Sequence, residues 1–111
     1  MSLSPRLQGQ LEQLAFRFEE LSQMLTSPEL VNDTQRFQSL SRELGEISPI
    51  LDLLRRHEQR QRDHDEAEKM LLEERDPDLR EMAHDELASA NKDLEELEES
   101  LRLRLLPKDP N

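Results

Sequence analysis

Residues 4–28 read SPRLQGQLEQLAFRFEELSQMLTSP, and this stretch decides the fold class. Its large apolar residues recur at alternating spacings of four and three: Leu7, Leu11, Leu14, Phe18, Leu21 and Leu25. That spacing puts them on one stripe of an α-helix. The Ser-Pro pair at its start is typical of an N-cap and first turn, and the Ser-Pro pair at its end predicts a break. The sequence therefore predicts a first helix over about residues 5–25.

A second stripe follows Asn32, which with Gln35 has the spacing of a capping box. Its members are Phe37, Leu40, Leu44, Ile47, Leu51 and Leu54. We expect one long helix over about residues 33–73. Pro49 lies inside it and predicts a kink in the turn before it, because proline removes one backbone hydrogen bond. Two helices that break at Pro49 are the alternative.

Residues 55–66 are the difficult part of this second helix, because they contain no apolar side chain. They also lack Gly and Pro, so nothing local predicts a loop. Opposite charges at helical spacing, such as Glu58 with Arg62 and Arg62 with Glu66, favour a solvated helix. We expect this segment either to project beyond the core or to lay only long polar side chains on it.

A third helix is predicted over about residues 77–106, with Asp76 and Pro77 as its cap and first turn. Its stripe is Leu79, Met82, Leu87, Ala90, Leu94, Leu97 and Leu101. Three stripes favour an all-α fold, either an antiparallel three-helix bundle or an elongated helical hairpin with coiled-coil-like packing. Self-association through the same stripes is the competing outcome. The predicted core is Leu14, Phe18, Leu40, Leu44, Ile47, Leu94 and Leu97.

Composition narrows the class of protein. The 111 residues contain no cysteine, which excludes disulfides and thiolate sites, and no apolar run approaches a membrane span. We predict a cytoplasmic protein.

Charge is unevenly distributed along the chain. Residues 1–62 hold 8 Lys/Arg against 9 Asp/Glu, whereas residues 63–111 hold 7 Lys/Arg against 17 Asp/Glu. A surface this acidic repels phosphate, so we expect protein partners, no membrane and no sequence-specific contact with nucleic acid.

Candidate chemical sites are weak. Glu81 and His84 have the Glu-x-x-His spacing of di-iron bundles, but those bundles need a second copy, and the sequence has none. His57, His64 and Glu68 could share a metal, although polar surface is the commoner meaning of such a set. Four arginines without neighbouring Tyr or Trp predict salt-bridged surface: Arg55, Arg56, Arg60 and Arg62. We therefore predict no catalytic, cofactor-binding or metal site, and no enzyme.

Three segments resemble a known family. They read QRFQSLSREL (residues 35–44), DPDLREMAHDEL (residues 76–87) and LRLLPKDPN (residues 103–111). In this order they resemble the N-terminal helical domain of bacterial class-I peptide chain release factors. The LLPKDP segment is most similar to the type 1 factors, which read UAA and UAG.

The resemblance implies a function for a longer protein. In the family, a Gly-Gly-Gln tip promotes peptidyl-tRNA hydrolysis, and Pro-x-Thr or Ser-Pro-Phe helps to read the stop codon. None of these motifs occurs here, so no catalytic or codon-reading residue carries over. The helical domain of the family lies toward the stalk base of the large ribosomal subunit. The implied partners are the ribosome on that side, the GTPase release factor and the remainder of the protein's own chain.

The carboxyl end predicts the domain organisation. Pro107 and Pro110 end the third helix and favour an extended segment. We expect residues 1–106 to be one domain of a longer protein and residues 107–111 to begin a linker. The predicted function is a non-catalytic docking domain of a stop-codon-reading factor. The alternative is a free-standing acidic coiled-coil scaffold or adaptor whose resemblance to release factors is accidental.

Overall fold

The computed structural model describes residues 3–106, which form three α-helices and one short 3-10 helix. The α-helices are α1 (Pro5–Met24), α2 (Thr34–Glu73) and α3 (Pro77–Leu105), and the 3-10 helix is Pro28–Asn32. No strand occurs among the described residues, so the all-α prediction is confirmed. The observed helix ends lie within one residue of the predicted ones. The sequence did not predict the 3-10 helix, and the predicted linker lies outside the described residues.

Short polar side chains start the helices. The Ser4 hydroxyl accepts a hydrogen bond from the backbone N–H of Leu7 at 3.2 Å, and the Asp76 carboxylate caps α3 by accepting from the N–H of Asp78 at 2.9 Å. At α2 the predicted capping box is wrong by one residue. Asp33, rather than Asn32, accepts from the backbone N–H of Arg36 at 3.0 Å. The reason is that Asn32 is the last residue of the 3-10 helix.

Helix α2 runs without interruption through Pro49, so the alternative of two helices is wrong. Proline removes one hydrogen bond of the helix, but the residues on either side of it remain helical. The predicted kink stays a prediction. The chain nevertheless divides into two compact units between Asp52 and Leu53, three residues beyond this proline. Each unit contains part of α2.

The described part of the first unit, residues 3–52, contains α1, the 3-10 helix and the start of α2. Its buried apolar side chains are Leu3, Leu11, Leu21, Leu30, Leu40, Ile47 and Leu51. A two-pronged ion pair joins its helices: Arg17 Nε and Nη2 donate to the two carboxylate oxygens of Glu43 at 2.5 and 2.9 Å. Planar guanidinium and carboxylate groups fit this parallel geometry, which fixes orientation as well as distance.

The predicted core is correct in part. Leu40, Ile47 and Leu94 are buried. Four other predicted members are only half-buried: Leu14, Phe18, Leu44 and Leu97. The fully buried leucines lie on the same stripes at other positions: Leu11, Leu21 and Leu101. A stripe defines a face about 100° wide, and packing then selects which flank of it is covered.

Two leucines of α3 test this assignment with the same substitution. Leu94 is 3% exposed, whereas Leu103 is 59% exposed. We expect Leu94→Ala to lower the free energy of unfolding by about 2–5 kcal/mol, because it removes a buried side chain and leaves a cavity. Leu103→Ala should change it by about 0.5 kcal/mol or less. Urea unfolding followed by circular dichroism measures both, and equal losses would contradict the assignment.

The Arg17–Glu43 pair predicts a dependence on pH. The hydrogen bond from Arg17 lowers the pKa of Glu43, against a smaller opposing effect of burial. A carboxylate whose pKa is lower in the folded state stabilises the protein above its unfolded pKa and loses that effect as the pH falls through the folded value. We expect the melting temperature of Glu43→Gln to fall less than that of the wild type between about pH 5 and pH 3.

Glu46→Gln, on the same helix, is the matched control for this titration. It should keep the acid sensitivity of the wild type, because Glu46 has no part in the pair with Arg17. If Glu43→Gln and Glu46→Gln show the same acid profile, the pair does not contribute to the pH dependence of stability.

Candidate interaction surface on the α2–α3 hairpin

The second unit begins at Leu53, and its described part is a helical hairpin. It consists of the end of α2, a three-residue turn and α3. The Arg80 guanidinium of α3 donates to the backbone carbonyls of Leu71, in the last turn of α2, and Glu74, which follows it. The last carbonyls of a helix have no partner within the helix, so Arg80 satisfies two acceptors where the chain turns.

A buried polar pair joins the two helices of the hairpin. His57 Nε2 on α2 lies 3.0 Å from Glu98 Oε2 on α3, and the side chains are 8% and 13% exposed. Among residues 3–106, His57 is the one polar or charged residue that is buried. Each group is therefore the main polar partner that the other has in place of water.

Arg60, one turn beyond His57, makes the largest set of polar contacts. Its Nη1 donates to Glu86 at 2.7 Å and to Asp63 at 2.8 Å, and its Nη2 donates to Ser89 at 3.1 Å. Its Nε lies 2.9 Å from a carboxylate oxygen of Asp93 but does not have hydrogen-bond geometry to it. These acids raise the pKa of Arg60, chiefly through the hydrogen bond to Glu86.

The polar stretch 55–66 therefore does not project from the hairpin. His57 and Arg60 contact α3, and partners later in α2 meet partners earlier in α3, as an antiparallel pair requires. For Arg60 the prediction of a salt-bridged surface is confirmed. The predicted pairs of Arg62 with Glu58 and Glu66 are wrong. Arg62 donates to the side chain of Gln59 instead.

The candidate metal ligands are not brought together. His57 faces Glu98, whereas His64 lies 3.1 Å from Asp65 and 3.9 Å from Glu68. Glu81 and His84 are exposed on α3. Between residues 3 and 106, no group of three or more His, Asp or Glu side chains is placed to hold a metal ion.

Two surface grooves follow the hairpin. The first has a volume of about 470 Å³ and lies between residues 53–60 of α2 and 93–100 of α3. The second, of about 340 Å³, lies nearer the turn, between Met70 and Met82. We call residues 63–86 the hairpin tip. Leu79 and Met82 of the tip belonged to the predicted stripe of the third helix, but they are 38% and 65% exposed.

The two grooves differ in the charges that line them. Apolar side chains line both grooves, with charges of both signs in the first and acidic side chains alone in the second. The described helices include none that is long and apolar enough to span a bilayer. Sequence reasoning missed the exposure of the tip, because its apolar residues have helical spacing whether or not a neighbour covers them.

Comparison with known proteins identifies the family. A family model described as the PCRF domain matches residues 14–111. The chain belongs to the PCRF domain family. This PCRF chain is 42% identical over 101 residues to peptide chain release factor 1 of Carboxydothermus hydrogenoformans, and 37% identical over 101 residues to that of Agathobacter rectalis. No solved structure gives a significant match.

Each alignment covers 91% of the PCRF chain but 28% of the relative, so the chain spans just over a quarter of these proteins. The resemblance to class-I release factors is confirmed by the family match. The interpretation that this resemblance is accidental is wrong.

A double-mutant cycle tests the buried pair of the hairpin. We expect His57→Leu and Glu98→Leu each to lower the free energy of unfolding by about 1–3 kcal/mol, because each leaves a poorly solvated polar partner. The double variant should recover part of the loss, since two facing leucines can pack in place of the pair. The resulting interaction energy should be about 1 kcal/mol or more.

His64 and Glu68 provide the control cycle, because their closest approach is 3.9 Å and Glu68 is exposed. We expect no measurable interaction energy between them. Equal interaction energies in the two cycles would mean that burial does not distinguish His57 and Glu98 from an ordinary surface pair.

Proposed function

We propose that this chain is the non-catalytic docking domain of a translation termination factor. In this proposal, residues 1–106 form the amino-terminal domain of a longer protein that directs peptidyl-tRNA hydrolysis at UAA and UAG. The domain supplies contacts with the ribosome on the stalk-base side of the large subunit. The observation that carries the proposal is the 42% identity to a protein named peptide chain release factor 1. The alignment covers 91% of this chain and 28% of that protein.

The residues of the chain support a binding role in this proposal. The sequence contains neither Gly-Gly-Gln nor a codon-reading motif, and its two glycines, Gly9 and Gly45, are far apart. Its acidic second half repels phosphate, so the surface favours a protein of the ribosome, or the GTPase release factor, over bare RNA. A linked binding domain raises the effective concentration of the reacting groups without contributing to the reaction itself.

Competition by the isolated chain tests the docking role directly. The rate of peptide release by the intact factor would be measured against factor concentration, with and without excess 111-residue chain. We expect the chain to raise the half-saturating concentration and to leave the plateau rate unchanged, because it occupies the docking site but adds no reacting group. A chain with Leu94→Ala, which is expected to destabilise the fold, is the control and should compete less.

Deletion of residues 1–105 from the intact factor should have a matching effect. The half-saturating concentration should rise about tenfold or more, because one linked set of contacts is lost. A truncated factor with unchanged half-saturation and plateau, together with a chain that does not compete, would overturn the docking role. A truncated factor with normal half-saturation but no hydrolysis at the plateau would mean that the domain takes part in the reaction.

A further inference from the structure

The hairpin tip exposes apolar side chains that the packing of the hairpin does not cover. Met70 and Leu72 on α2 are 43% and 85% exposed, and Met82 on α3 is 65% exposed. Met70 and Met82 line the same groove, so they form one apolar surface. Apolar side chains grouped in this way on a soluble protein mark contact sites more often than single exposed ones do.

The shape of the groove at the tip suits an elongated partner. Its walls are Met70 on α2 and Met82 on α3, and its lining includes Ala67 and Ala83, which are 5% and 3% exposed. Small buried side chains between two long ones leave a channel of about 340 Å³. Methionine side chains are flexible and polarisable, so these walls can adapt to the side chains of a partner.

The charge around the groove is predominantly negative. Residues 63–86 contain eleven Asp/Glu and three Lys/Arg, a formal net charge of −8. The cation of Arg80 is engaged by backbone carbonyls within the hairpin. Among the groove acids, Asp63 and Glu86 share Arg60. Glu66, also in the groove, has no cationic partner within residues 3–106, nor has nearby Glu73.

We propose that this groove binds a basic amphipathic helix of a protein partner. The apolar face of the partner helix lies against Met70 and Met82, and its Lys or Arg side chains face Glu66 and Glu73. An amphipathic helix that lies in an apolar groove is a recurrent mode of recognition, and opposite charges at the rim fix its position. The inference deepens the proposed docking role and rests on it for the biological setting.

The charge of the tip disfavours three other ligands for this groove: RNA, a second copy of the chain and a lipid surface. RNA carries phosphates that a surface of this sign repels. A second copy of the chain would bring two acidic tips together, and like charges face each other at a cost. A lipid surface attracts amphipathic helices whose polar face is rich in Lys and Arg, whereas the charged residues of this tip are mainly acidic.

A synthetic peptide serves as the probe. It would have about 18 residues, only Leu and Lys, with the leucines at helical spacing on one face. A second peptide of the same composition has its order scrambled, so that the charge is equal but no apolar face forms. Fluorescence anisotropy measures the binding of each labelled peptide to the 111-residue chain at about 0.15 M salt, where distant charges are screened.

Met82→Gln and Leu103→Gln are the matched variants. Both residues lie on α3 with similar exposure, 65% and 59%, and glutamine is a good helix former of similar length. We expect Met82→Gln to weaken binding of the amphipathic peptide about fivefold or more, and Leu103→Gln less than about twofold. The double variant Glu66→Gln, Glu73→Gln should also bind the amphipathic peptide more weakly than the wild type does. Its binding should depend less on salt concentration.

Three results would overturn the inference. One is equal binding of the scrambled and amphipathic peptides, which would mean charge attraction alone. Another is equal affinity of the Met82→Gln and wild-type chains, which would place the peptide elsewhere. The third is tighter binding of a labelled RNA hairpin than of the peptide. This assay contains no ribosome, so its failure is distinct from the loss of competition that would overturn the docking role.

Discussion

The pair of His57 with Glu98 is the interaction on which the α2–α3 hairpin most depends. Residues 55–66 have no apolar side chain with which to pack along α3. The hairpin replaces the missing apolar contacts with an imidazole and a carboxylate 3.0 Å apart, both nearly excluded from water. Buried polar pairs add little net stability, but separating them is costly. A shift of α2 by one turn would leave both groups unpaired, so the pair favours one register.

The contacts of Arg60 and Arg80 extend the same constraint toward the turn. The Arg60 guanidinium pairs with both Glu86 and Asp63. Arg80 donates to the backbone carbonyls of Leu71 and Glu74, where α2 ends. Ala67 and Ala83 are buried on the two helices, where large side chains would hold them further apart. Because polar pairs and alanines hold the hairpin together here, the methionines of the tip are left free. The features that fix the register of the hairpin thus also produce its candidate binding surface.

Much of the fold follows from local signals in the sequence. Ser4 and Asp76, each followed by a proline, mark helix starts closely, because capping and loss of a backbone donor act within a single turn. Pro49 also follows a serine but lies inside α2, so a Ser-Pro pair alone does not identify a helix end. The cap of α2 at Asp33 is not evident from the sequence, because a 3-10 helix that no stripe predicts includes Asn32. The burial of His57 could not be predicted, since a polar run has no periodicity from which to identify its inward face. The exposure of the tip could likewise not be predicted from the sequence, because Met82 fits a core stripe. Only the positions of its neighbours show that it is exposed.

Residue-resolved hydrogen exchange measures most directly whether residues 55–66 are an integral part of the hairpin. Amides in a packed helix exchange only when the structure opens, whereas a solvated helix opens locally at low cost. The polar pairing predicts that the amides around His57 and Arg60 are protected as strongly as those around Leu94, which is buried on α3. Protection that is much weaker over residues 55–66 than around Leu94 would show that this segment is only a solvated connection, and the role assigned to His57 and Glu98 would be wrong.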